Sequence, residues 1–142
     1  MAAIQSHTVQ LALDLIVRER DISGFFAAFM KSLIDMAESH ACGVWLLDED
    51  GQRCDLWMCN INEKFYSETS EGWETLELPR TAMATHLFEC KEHWAGTVEY
   101  AADDPRLPEA VREFNVAAGL ATMAVAPLAL PSRTLGWIVL AT

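Results

Sequence analysis

The chain is poor in basic residues and has none grouped into a patch. Its 142 residues hold 10 Lys and Arg against 21 Asp and Glu, a formal net charge of −11. A surface of that sign repels phosphate backbones, which excludes nucleic acid as a natural partner. No CxxC pair is present, and the four cysteines (Cys42, Cys54, Cys59 and Cys90) are scattered. In a chain of this size they read as thiols of a reducing compartment, not as a disulfide frame. No glycine-rich phosphate cradle and no Ser-His-Asp arrangement can be assembled. The opening MAAIQSHTVQ lacks the basic and apolar regions of a signal peptide. The uncharged stretch from Asn115 to Ser132 is interrupted by Gly119, Pro127 and Pro131 and is too short to span a bilayer. These absences point to a soluble cytoplasmic domain without membrane insertion.

What is present is enough for one core. Apolar residues make up 51% and charged residues 22%, the balance of a single globular domain over residues 1–142. The stretch CGVWLLDEDGQRCDLWMC first raises the question of a calcium loop at Asp48-Glu49-Asp50-Gly51. With Gly51 at loop position 6, positions 1 and 12 fall on Leu46 and Trp57, which offer no side-chain oxygen. Asp-Gly between two β-branched and aromatic runs is instead a hairpin signal.

Hydrophobic periodicity gives a helix over about 6–18 and a second over about 22–39, with Phe25, Phe29, Leu33 and Met36 on its apolar face. Strands follow at about 42–48 and 53–60, then a polar loop and a short strand at Glu74–Leu78. Thr81 to about Lys91 reads as helix and Trp94–Tyr100 as extended. Pro108 opens a further helix that Gly119 stops, and Leu120–Leu128 and Thr134–Thr142 form a closing hairpin. Two leading helices followed by hairpins predict an α+β fold. Its central antiparallel sheet has about five to six strands, the N-terminal helices on one face and shorter helices and loops over a pocket on the other. A PAS domain would open with strands, which the leading helices argue against.

The segments GVWLLDEDG, VEYAADDPRLPEAVREFNVAAGLATMAVAPL and LGWIVL, in this order and spacing, resemble those of a GAF domain over nearly the whole chain. The family's usual final helix is missing after Thr142, so the resemblance implies a module excised from a longer chain. It implies a small-molecule-sensing regulatory module of a signal-transduction protein, such as a two-component sensor histidine kinase or a cyclic-nucleotide signalling enzyme. The alternative is a ligand-free dimerisation scaffold. In either case a homodimer through the N-terminal helices is expected, because Val9-Leu13-Ile16 and Leu11-Leu15 form two apolar stripes where one sheet needs one. Bilin-binding relatives carry a cysteine and a histidine where this chain has Arg106 and Leu107, so no covalent tetrapyrrole is expected. For non-covalent haem, His86 is the candidate ligand, and the cofactor stays unknown. GAF-fold free methionine sulfoxide reductases carry thiols where this chain reads Thr81-Ala82-Met83-Ala84 and Asn115-Val116-Ala117-Ala118. The domain itself is therefore read as non-catalytic.

By the same resemblance the ligand pocket falls on Trp73, Met83, His86, Leu87, Tyr100, Asp103, Phe114 and Met123, mostly apolar with a few polar handles. His86-x-x-x-Cys90-x-x-His93 would place imidazole and thiolate on one helical face. Without a fourth ligand it is read as a helix edge, and no metal is assigned. Cys54 and Cys59 have opposite parity along one strand and are expected on opposite faces.

Overall fold

β1 (Ala41–Leu47) shows how the strands are built. Cys42, Val44 and Leu46 face one side of the sheet, while Ala41 and Trp45 face the other, so one strand supplies two cores. The computed structural model of the chain describes residues 22–142. The expected first helix lies outside the described residues. Described elements begin with helix α1 (Ile22–Ala37) and continue through β2 (Cys54–Ile61) and β3 (Lys64–Ser67). A 3₁₀ turn (Trp73–Leu76) leads into α2 (Glu77–Glu89), and α3 (Lys91–Ala95) and β4 (Val98–Ala101) follow. α4 (Glu109–Ala117), β5 (Thr122–Leu130) and β6 (Arg133–Ala141) complete the series. The strands form one antiparallel sheet in the order β3-β2-β1-β6-β5-β4.

The acidic stretch is the bend between β1 and β2. Gly51 takes the left-handed φ of 67° that the turn requires. The Asp48 carboxylate accepts the backbone N–H groups of Gln52 at 2.8 Å and Arg53 at 3.2 Å, and these bonds hold it below the usual carboxylate range.

Four local expectations need correction. Glu74–Leu78 is helical: Gly72 turns the chain with φ of 89°, and Pro79 sits in the first turn of α2, where no N–H is needed. β3 stands where a polar loop was expected. It returns through a tight turn at Asn62 and Glu63, both left-handed, without the glycine that usually marks one. Trp94 belongs to α3, and its indole N–H donates to the Phe88 carbonyl at 2.9 Å, satisfying an open carbonyl at the end of α2. Finally, Met36 is 65% exposed, whereas Met30 is 0% exposed beneath α1.

A bulge decides the faces of β2. Val44 pairs with Met58 but Trp45 pairs with Leu56, so Trp57 is an extra residue. Parity reverses across it. Cys54 and Cys59 therefore both pack against the core that holds Trp45, contrary to the simple alternation.

α1 closes one side, with Met30 and Leu33 packed among Cys42, Val44, Met58, Leu128, Ile138 and Leu140. α2, α3 and α4 cover the other, where Met83, Leu87 and Val111 meet Trp45, Met123, Val125, Trp137 and Val139. Gly136 lets β6 lie close on β1: a Cβ there would fall 2.0 Å from the Trp45 carbonyl oxygen. α4 ends as anticipated at Gly119, φ 72°, with the Leu120 N–H bonded back to the Asn115 carbonyl at 2.9 Å.

Candidate functional site

On the α2/α4 side the core does not close completely. A cavity of about 70 Å³ lies between the inner strands and the two helices. Trp45 and Leu56 form its floor, Arg80 and Met83 its α2 wall, and Phe114 its α4 wall, with Met123 on β5 beside them. Pockets for metabolites run to roughly 300–1,000 Å³, so a ligand of that size needs the walls to part. Met83 and Met123 are unbranched side chains that can repack to allow it.

The floor is set by Trp45 and Gly43 together. The indole folds back across Gly43, where a Cβ would lie 2.5 Å from a ring carbon. Its N–H donates to the Arg80 carbonyl at 3.2 Å, tying β1 to the first turns of α2. The Arg80 guanidinium stacks over Trp73 at 4.8 Å. Its Nε is buried and has no hydrogen-bond partner among the described residues. Asn115, 2% exposed, donates its amide to the Ala102 carbonyl at 2.9 Å and to the Met123 sulfur at 3.6 Å.

A second polar group lies beyond the cavity. His93, 0% exposed, approaches the Tyr100 hydroxyl with Nε2 at 2.6 Å, and His86 Nε2 approaches the same oxygen at 3.4 Å. The His93 Nδ1 atom is buried without a hydrogen-bond partner among the described residues. Nε2 and the Tyr100 hydroxyl share one hydrogen bond, whose direction follows the imidazole tautomer. Burial lowers the pKa of both imidazoles, with the neighbouring His93 and Arg106 adding to the effect on His86. Burial also pushes the Tyr100 phenol up. Arg106 lies over the Tyr100 ring at 4.7 Å and is clamped by Asp104 at 2.8 Å. The His93 carbonyl accepts the Trp137 indole N–H at 2.9 Å, which anchors α3 to the sheet.

Of the residues expected at a pocket, Met83, Phe114 and Met123 line the cavity. Leu87 is buried in the same core without lining it, and Trp73 stands at its edge against Arg80. His86 and Tyr100 belong to the second group, and Asp103 is exposed beside Arg112 and Glu113. The His86-Cys90-His93 spacing does not lie on one helix, because Cys90 is extended (ψ 112°) between α2 and α3. Among the described residues no three His, Cys, Asp or Glu side chains come together as a metal site. Burial pushes the thiols of Cys42, Cys54 and Cys59 up to about 12, which keeps them protonated and unreactive near neutral pH. Trp45, Arg80, Asn115 and His93 were not anticipated. Strand parity alone would have placed Trp45 opposite Val44; Arg80 was hidden by reading the preceding residues as a strand.

No protein-family model and no curated protein sequence matches the chain, but solved structures do. A domain of a Sinorhizobium meliloti 1021 protein assigned to the two-component sensor histidine kinases aligns with a TM-score of 0.56 and 17% identity. That match covers 87% of this chain and 74% of the other. The photoproduct state of GAF3 from Slr1393 of Synechocystis sp. PCC6803 aligns with a TM-score of 0.55 and 10% identity, covering 84% and 75%. The GAF domain of a phosphoenolpyruvate-protein phosphotransferase from Coxiella burnetii aligns with a TM-score of 0.52 and 9% identity, covering 99% and 79%. At such identities the likeness speaks for the fold alone. The chain has the GAF fold.

Proposed function

We propose that the chain is a small-molecule-sensing regulatory module of a signal-transduction protein, of the two-component sensor kinase or cyclic-nucleotide signalling kind, working in the cytoplasm. The observation that carries this reading is the apolar cavity between the sheet and α2/α4, in a fold shared with a sensor-kinase domain and a photoreceptor GAF domain. A ligand would act by favouring a state with α2 and α4 parted from the strands, and only to the extent that it binds that state better. Trp45 is bonded to Arg80 and adjoins Val44, which packs in the α1 core with Met30. β1 thereby gives a route from the cavity to α1 and to the residues before it. Among the described residues no helix is long and apolar enough to cross a membrane. The role is regulatory, and the protonated thiols of Cys42, Cys54 and Cys59 offer no thiolate for sulfoxide chemistry.

The test is a thermal-shift screen with metabolites, nucleotides and haem, followed by Met83→Trp to fill the space. Stabilisation by at least one compound, abolished by the substitution, is expected. No stabilisation by any compound overturns the sensing role. The small volume favours a second reading, a ligand-free dimerisation scaffold. In that reading the chain pairs through the helix expected at about 6–18, and sedimentation of residues 1–142 against 22–142 distinguishes dimer from monomer.

A further inference from the structure

The cavity wall is apolar except at Arg80 and Asn115. No Asp or Glu lines it, although the chain carries a net charge of −11. Asn115 has its amide committed to Ala102. Arg80 is different. It is among the lining residues, its Nε is buried without an acceptor among the described residues, and the ion pairs among those residues involve Arg53 and Arg106 instead. A buried N–H donor left without an acceptor is costly, although Arg80 as a whole is only half-buried, and an anion beside it would supply the acceptor. The guanidinium lies over the Trp73 ring at 4.8 Å, and its planar fork of N–H donors is the kind of group that engages a carboxylate by two parallel bonds.

We propose that the site takes a short aliphatic monocarboxylate, its carboxylate on the edge of Arg80 and its branched apolar end among Trp45, Met83, Phe114 and Met123. The assignment rests on the sensing reading above and adds the chemical class of the ligand. Size and charge select together. The cavity of about 70 Å³ favours a short chain over a fatty acid, and a neutral analogue leaves the guanidinium without its counter-charge. A dicarboxylate would bury a second charge that no other lining side chain can pair.

The experiment titrates the 142-residue chain with isovalerate and, separately, with isovaleramide and isoamyl alcohol, following binding by calorimetry and by the methyl resonances of Met83 and Met123. Saturable isovalerate binding that moves both methyls is expected, with the amide and the alcohol weaker by about ten- to a hundredfold. Arg80→Gln removes the preference, and Arg80→Lys retains part of it because a point charge replaces the fork. Equal binding of isovalerate and isovaleramide overturns the carboxylate assignment and leaves the cavity as a sensing site. Isovalerate binding unchanged in Arg80→Gln does the same. No binding by any of the three, with no movement of either methyl, overturns the assignment, while the broader metabolite screen judges the sensing role separately. If Arg80→Gln fails to fold, the comparison of acid with amide and the Arg80→Lys variant decide.

Discussion

The two faces of the sheet are made by the same strands and packed to different ends. Beneath α1, Met30, Val44 and Met58 are all 0% exposed, and the cluster around them is apolar throughout. Beneath α2, α3 and α4 the core has an opening, and His93, Asn115 and the buried Arg80 Nε lie on that side, whereas at the margin of the α1 side the buried polar groups are Ser39 and the unpartnered Asn60 Oδ1. A fold built only for stability would treat both faces alike. What sets the α2–α4 side apart is an apolar cavity inside the core, the kind of departure from close packing that functional sites show.

Substitutions can break that contrast or sharpen it. Gly136→Val should have the largest effect, because it drives a side chain into the β1 backbone and disturbs both faces at once. A loss of about 3 kcal/mol or more is expected by urea denaturation, since backbone cannot yield as a side chain can. Next come Met30→Ala and Met83→Ala, the same change on opposite faces. Met30→Ala should lose about 3–5 kcal/mol and Met83→Ala about 2 kcal/mol, because the second merely enlarges an existing space. Equal losses would mean that the two faces are packed alike.

Tyr100→Phe is smaller. It leaves His93 Nε2 without its hydrogen-bond partner and should cost about 1–2 kcal/mol. The pH dependence is the subtlest. Both His86 and His93 have pKa values below the ordinary 6.5 in the folded chain, so the unfolded chain binds more protons as the pH falls through 6.5. Stability is full above that value and declines below it, levelling off once the folded-state imidazoles are protonated too. His86→Gln and His93→Gln should each flatten this decline, measured as the urea midpoint between pH 8 and pH 5.

Much of the architecture was legible in the sequence because its signals are local. Asp48 to Gly51 declared a bend, Gly119 a helix stop, and the β-branched and aromatic apolar run Val44–Leu47 a strand. The failures were also local in origin. Asn62-Glu63 makes its turn without glycine, so β3 was hidden. Reading Glu74–Leu78 as a strand, with the helix beginning only at Thr81, concealed the start of α2 and, with it, Arg80. The bulge at Trp57 has no signature that a single sequence exposes, yet it decides where Cys54 points. At the site, Met83, Phe114 and Met123 followed from the helix and strand pattern together with the resemblance. His93 did not, since the stretch that carries it was read as helix edge and then strand, and its meeting with Tyr100 is a tertiary fact.

Methionine methyl resonances test the central claim most directly, for Met30 and Met58 report on the α1 face and Met83 and Met123 on the cavity. Titrated with any compound that stabilises the chain, Met83 and Met123 should move first and furthest, with Met30 following weakly if at all. Shifts confined to Met30 and Met58 while Met83 and Met123 stay still would contradict the account.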